Sequence, residues 1–329
     1  RETMIKNKNV VGKNAFFIPL NKTNTMIIDF NKELIKLNKV RTGQIQEGLK
    51  LGLPSLDEHL RFKYGNFNIM LGHANVGKTT TVLYLMLLFS IKHKIRWLVY
   101  SSENEAYALI RKLVEFMCVL PINKIDEETM NTKGDFINEH FKFIDTQTPY
   151  TYKELLNLAG HIKNAWSYDG FMIDPYNSLN LDRKVLKGIS EHNYHYECTT
   201  DMRIFCKQNN VSIWLNVHAV TEALRKKHKP THYYAEHPIP PMASDAEGGG
   251  KYVNRADDFF CIHRYTQHPT DWMYSMIHTR KIKDTDTGSR PTPMDEPVRL
   301  KSVINNVGFS IDGVNLINKL EYKQQKVPF

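Results

Sequence analysis

Eight consecutive residues, Gly72-His73-Ala74-Asn75-Val76-Gly77-Lys78-Thr79, fit the spacing G-x-x-x-x-G-K-[ST], and a second threonine, Thr80, follows them. Glycines at 72 and 77 let a backbone wrap a phosphate chain. The intervening amides and the start of a following helix favour its negative charge, and Lys78 can reach the β and γ oxygens. Thr79 supplies a hydroxyl to Mg²⁺. Such a cradle takes ATP or another nucleoside triphosphate. Hydrolysis asks for a carboxylate that holds magnesium, a group that orients the attacking water, and a sensor of the γ-phosphate. Asp174 closes the apolar run GFMID, Glu103 follows a second apolar run in YSSEN, and His218 ends a third, SIWLNVH. These three are the candidates for those tasks in that order. The bland alternatives are an Asp that caps a turn before Pro175, an acid at a helix start, and an ordinary strand-end histidine.

Positioning these groups requires strands whose carboxyl ends meet. FNIML (67–71) reads as a buried strand and 78–92 as the helix after it; IRWLVYS (95–101) is a second strand and 104–118 a second helix. FKFID (141–145), a helix at 152–166, GFMID (170–174), a long helix at 189–209 and SIWLNVH (212–218) continue the alternation. The order is that of a mainly parallel α/β sheet covered by helices, with a phosphate loop after its first strand. DFFCIHRY (258–265), WMYSMIHT (272–279) and PVRLKSV (297–303) extend the sheet as further strands, and SIDG (310–313) reads as a turn. Before the sheet, GLPSLDEHL suggests a short helix capped by Ser55, and 27–40 an isolated helix within a Lys- and Asn-rich arm, 1–45. The one long irregular stretch, 226–250, holds four prolines and three successive glycines. Irregular segments of that length in compact domains are functional or mobile.

Composition sets wider limits. The 329 residues carry 44 Lys+Arg against 35 Asp+Glu, a net charge of +9, with 41% hydrophobic residues. That is a globular chain with a sizeable core rather than a disordered polyelectrolyte, and its mild basicity suits an acidic partner without identifying one. The most apolar window, VLYLMLLFSI at 82–91, is about half the length of a membrane span. No secretory signal is legible, and the four cysteines, Cys118, Cys198, Cys206 and Cys261, form no CxxC pair. A reducing cytoplasm is the expected compartment, and a chain opening on Arg1 is expected to be a piece of something longer. His192, His195 and Cys198 lie on one helical stripe without a fourth ligand, so a packed face with Tyr194 and Met202 is the expected role rather than zinc.

The ordered set GLPSLDEHL, GHANVGKTT, SSENE, MIDPYNSL, WLNVHAVTEALR and SDAEGGGKYVNRADDFFCIHR resembles the superfamily 4 ring helicases, the RecA-fold motors of DnaB, Twinkle and phage primase-helicases. The likeness spans roughly residues 46 to 313, with GHANVGKTT and IDPYNSL nearest phage-encoded versions. It implies a RecA-like P-loop fold with extra carboxyl-terminal strands, residues 46–329 as motor domain and 1–45 as linker arm. It also implies the same roles for the phosphate loop, Asp174, Glu103 and His218, with ATP and Mg²⁺ as cofactors. Motors of this family hydrolyse at subunit boundaries, where a late K-x-R strand supplies a basic finger. Here Thr279-Arg280-Lys281-Ile282-Lys283 departs from the pattern, placing Lys283 where arginine is expected. Lysine lacks the bidentate guanidinium. Either Lys283 acts as a point charge or Arg280 serves from a shifted register, and Arg280, Lys281 and Lys283 stand together as candidates.

By the same resemblance, two loops contact single-stranded and fork DNA. One includes Arg183, Lys184 and Lys187, the other Glu247, Gly248, Gly249, Gly250 and Lys251; glycines admit close backbone approach and the cations add sequence-independent attraction. A solvated hairpin with incidental lysines is the alternative. The implied assembly is a homohexamer, with a primase or collar domain as neighbour and no membrane. The expected function is an ATP-dependent replicative helicase. Its rivals are another RecA-fold ATPase, recombinase-like or of the clock type, and a nucleotide-dependent scaffold or loader that scarcely hydrolyses.

Overall fold

The computed structural model describes residues 27–45, 47–247, 249, 254–285, 288–311 and 313–318. The chain divides into two units, Arg1–Glu47 and Gly48–Phe329. In the first, helix α1 (Phe30–Arg41) opens at Asp29, whose carboxylate accepts the Asn31 N–H at 3.0 Å, and it carries exposed Phe30, Leu34 and Leu37.

The second unit runs α2 (Pro54–Asp57), β1 (Phe67–Gly72), α3 (Lys78–His93), β2 (Trp97–Ser101), α4 (Ala106–Cys118) and α5 (Glu127–His140). It continues through β3 (Phe141–Phe143), α6 (Tyr152–Ala165), β4 (Gly170–Asp174), α7 (Arg183–Leu186), α8 (Glu191–Asn209) and β5 (Ser212–His218). The last strands are β6 (Asp258–His263), β7 (Tyr274–Ile282), β8 (Val298–Ser302), β9 (Phe309–Ile311) and β10 (Val314–Asn315). They form one sheet in the order β10-β9-β8-β7-β6-β1-β5-β4-β2-β3. Strands β6 to β3 in that order are parallel, and β6-β7-β8-β9-β10 are antiparallel.

The central parallel strands β1, β2, β4 and β5 are covered on both faces, which is why their sequences are largely apolar runs rather than alternating ones, whereas β3 at the edge alternates as Phe-Lys-Phe and is half-buried. On one face α3 and α4 pack with Leu51, Leu56 and Phe62; on the other lie α6 and α8. Helix α3 is buried along nearly its whole length, so VLYLMLLFSI is a core helix. The Thr151–Glu154 capping box opens α6, and Ser190 caps α8. Strand β4 begins with Gly170, where a Cβ would meet the Trp97 ring at 2.3 Å; the indole fills the space that a side chain would take.

Three readings of the sequence change. Ser55 is not a cap: Pro54 opens α2 after Leu53, and the buried carboxylate of Asp57 turns back to accept the N–H groups of Leu51, Gly52 and Leu53. Ser310 and Ile311 belong to β9 rather than to a turn. Helix α5, capped by Asp126, was not among the expected elements. The irregular stretch 226–243 is tied down by the Lys226–Asp245 ion pair, by bridges between Lys227 and Pro238 and between His228 and Ala235, and by Tyr234 stacked on Tyr265 at 3.7 Å. Among the described residues no helix is long and apolar enough to cross a membrane.

Candidate active site

Adjacent parallel strands bring the candidate groups to one edge. The carboxyl ends of β1, β5, β4 and β2 carry Gly72, His218, Asp174 and Ser101 in neighbouring positions. Between β1 and α3 the loop turns through left-handed backbone at Asn75 (φ 60°) and Gly77 (φ 80°), the latter as N-cap of α3. Gly72 is required by space, because a Cβ there would lie 2.7 Å from the Ile262 carbonyl oxygen. Ala74 and Asn75 are exposed, whereas His73 is buried with its ring 6.1 Å from that of His263; burial holds its pKa below the ordinary value.

Lys78 is buried, and its Nζ donates to the carbonyls of Gly72 (3.3 Å) and Val217 (3.1 Å) and lies 3.3 Å from His218 Nδ1. Desolvation lowers its pKa to about 8, against the opposing pull of Asp174 and Glu103. A cation held mainly by uncharged acceptors fits a polyanion placed over the loop. Asp174 is buried at the end of β4. Its Oδ2 accepts from Thr79 Oγ1 (2.8 Å) and Ser101 Oγ (3.3 Å), and its Oδ1 from Asn216 Nδ2 (2.7 Å). These are hard oxygen donors, and the small number from protein fits magnesium, which keeps waters and phosphate oxygens in its shell. Among the described residues no group of three or more His, Cys, Asp or Glu could hold a metal by itself.

Glu103 is exposed, with Oε1 3.3 Å from His218 Nε2. One imidazole therefore touches Lys78 through Nδ1 and Glu103 through Nε2. The loop beyond β5 continues the contact: the Glu247 N–H donates to the His218 carbonyl at 2.9 Å, and Ala219 pairs with Ala246. Sequence reasoning missed Ser101 and Asn216, and also Asn104, which donates to Ser101 Oγ at 3.2 Å. Asn216 did leave a signal, a polar residue inside the otherwise apolar strand SIWLNVH.

The three basic candidates at the end of β7 and just beyond it separate. Lys281 Nζ donates to the Ala256 carbonyl (2.7 Å), and Lys283 Nζ pairs with Asp257 (3.1 Å), which also holds Arg203 (3.0 Å). Arg280 instead places Nη1 3.3 Å from Met294 Sδ in the wall of a cavity of about 480 Å³ with Tyr265 and His278. Through β6, Lys281 stands level with Ile69 of β1. Lys283 lies beyond it at the amino edge of the parallel strands, about 16 Å down the strand from Gly72 at roughly 3.3 Å per residue. Arg183 and Lys187 are exposed at α7, and Glu247 and Gly249 (φ 83°) lie beyond His218. Gly248, Gly250 and Lys251 fall outside the described residues, as does the side chain of Lys184.

Neither a protein-family model nor a curated protein matches this chain. Solved structures do. The ATPase domain of a phage helicase is 15% identical, covers 85% of this chain and 98% of its own, and superposes with a TM-score of 0.66. A DnaB-like replicative helicase, solved in a study of its interactions with primase, is 15% identical over 86% of this chain and 67% of its own, with a TM-score of 0.62. The KaiC-like protein PH0186 from Pyrococcus horikoshii OT3 is 14% identical over 80% and 98%, with a TM-score of 0.51. The shared feature is the RecA-like P-loop fold, a mostly parallel sheet with helices on both faces.

Proposed function

We propose that this chain is a Mg²⁺-dependent nucleoside triphosphatase that moves along single-stranded DNA as a ring and unwinds duplex at a fork. The observation that carries the reading is the convergence of Lys78, Thr79, Asp174, Glu103 and His218 on one sheet edge, joined by the contacts above. Residues 72–80 cradle the triphosphate, with Lys78 at its terminal oxygens. Thr79 and Asp174 hold magnesium, which when bound supplies neutralising charge at the phosphoryl oxygens. Glu103 orients the attacking water. His218, in contact with both Lys78 and Glu103, reports the γ-phosphate and passes its loss to the backbone of Glu247.

Lys281 and Lys283 lie too far along the sheet to reach their own cradle, so they serve a neighbour's, with Arg280 the less suited candidate because it faces the cavity wall. The arm at 1–45, with its exposed apolar α1, docks on an adjacent subunit of a homohexamer built from the domain at 46–329. Exposed Arg183 and Lys187, with Lys184 and the segment 247–251, line the path of the DNA. The setting is the cytoplasm, and a primase is a partner. Likeness to helicase ATPase domains supports this reading, while likeness to a KaiC-like protein supports the rival, another RecA-fold ATPase of the clock type.

ATP hydrolysis with and without single-stranded DNA, run beside Lys78→Ala and Glu103→Gln, separates the two. The expected result is a DNA-stimulated wild type, loss of nucleotide binding in Lys78→Ala, and retained binding with turnover reduced about 100-fold or more in Glu103→Gln. Nucleotide binding with turnover indifferent to DNA removes the motor.

A further inference from the structure

The nine-residue step from Asp174 to Arg183 is one continuous piece of chain, clamped at both ends onto the start of α8. At one end Tyr176, two residues after the carboxylate, is buried and places its hydroxyl 2.6 Å from His195 Nδ1. At the other, the Asp182 N–H donates to the Tyr194 hydroxyl at 3.0 Å, immediately before α7 presents Arg183. Tyr194 and His195 are consecutive residues of α8, and the buried Cys198 packs in one cluster with both tyrosines. Between the clamps, Ser178 Oγ donates to the Pro175 carbonyl (2.8 Å), and the Asn180 N–H to the Tyr150 carbonyl (2.8 Å). Phenylalanine would fill the same space without burying a hydroxyl. Two buried hydroxyls, one from the segment onto α8 and one from α8 onto the segment, therefore mark a fixed path, since a buried polar group costs free energy unless it is hydrogen-bonded.

We infer that Tyr176, His195, Cys198 and Tyr194 form a strap that sets the position of α7 from the position of Asp174, coupling the nucleotide site to the grip on a single-stranded polyanion. All four are positioning residues. The coupling rests on the proposed DNA-driven function; the strap itself does not.

The test uses the full chain carrying Tyr194→Phe, Tyr176→Phe or both, with Tyr152→Phe as control. Tyr152 packs beside Tyr194, but its hydroxyl bonds Asp201, away from the segment. Turnover without DNA and nucleotide affinity should stay at wild-type values in each, and the melting temperature should fall by a few degrees at most, no further in the Tyr194 and Tyr176 variants than in the Tyr152 control. The single-stranded DNA concentration for half-maximal stimulation should rise about three- to tenfold in the Tyr194 and Tyr176 variants, the weight of one hydrogen bond. The double variant should lose less than the product of the singles, because both act through one element. Tyr152→Phe should lose nothing. Equal effects in all three tyrosine variants, or none, overturn the strap. If wild type shows no DNA stimulation, the proposed function fails, and hydrogen exchange decides the strap separately. Added nucleotide and Mg²⁺ should change protection of the amides at 180–187 in wild type and not in Tyr194→Phe, and unchanged protection in wild type overturns it.

Discussion

Lys78 concentrates the electrostatics of the site, because it is buried and its amine is held by two carbonyls and an imidazole. Burial brings its pKa down to about 8, and a bound triphosphate raises it again. The sign follows from linkage: a group whose pKa is higher in the complex takes up a proton on binding wherever the free protein has lost it. Nucleotide affinity should therefore be flat below about pH 8 and fall as pH rises through that value, by up to about tenfold per unit, until the raised pKa of the complex is reached. Titration with a fluorescent nucleotide across that range reads it, and an affinity that does not change between pH 7 and pH 9, as about one unit either side of that pKa, would remove Lys78 from the phosphates. Of the groups around it, the ionisable side chains Asp174 and His218 at strand ends were legible from residue type and position. Ser101 and Asn216 were not, because their role comes from the lateral order β2-β4-β5, which no single strand spells out.

Among the elements, the buried parallel strands were the most legible, since burial on both faces writes itself as an unbroken apolar run. Helix α5 escaped for the opposite reason. EETMNTKGDFINEH buries only Ile137 and His140 and carries Gly134 in its interior, so it shows little periodicity. The Ser55 cap failed because α2 begins one residue earlier, at Pro54, which leaves Ser55 inside the helix; Asp57 instead ties down the backbone of Leu51, Gly52 and Leu53 before it. Two glycines turn this into opposite predictions. Gly170→Ala drives a methyl into Trp97 at the start of the strand that carries Asp174, and should cost about 1–3 kcal/mol of stability in denaturant unfolding. Gly134→Ala meets nothing within 4 Å on a helix and should stabilise by about 0.5–1 kcal/mol. Similar changes at both sites would mean that the indole yields freely.

On the scale of the whole molecule, the phosphate cradle lies at the carboxyl edge of the parallel strands and Lys283 at the amino edge. If neighbours complete one another's sites as proposed, Lys78→Ala and Lys283→Ala should complement. Each is inactive alone, yet a mixed assembly pairs the intact cradle of one with the intact lysine of the other, and turnover should reappear in the mixture. Continued inactivity after confirmed co-assembly would argue for a site complete within one subunit. A molecule so built has a head and a tail, and its self-contacts are heterologous rather than two-fold. In a row of such molecules the last cradle has no donor and the first donor no cradle, so one site in every open row idles whatever its length. Closure abolishes both ends at once, so the last subunit to join adds two working sites, where the first added none and each one between added one.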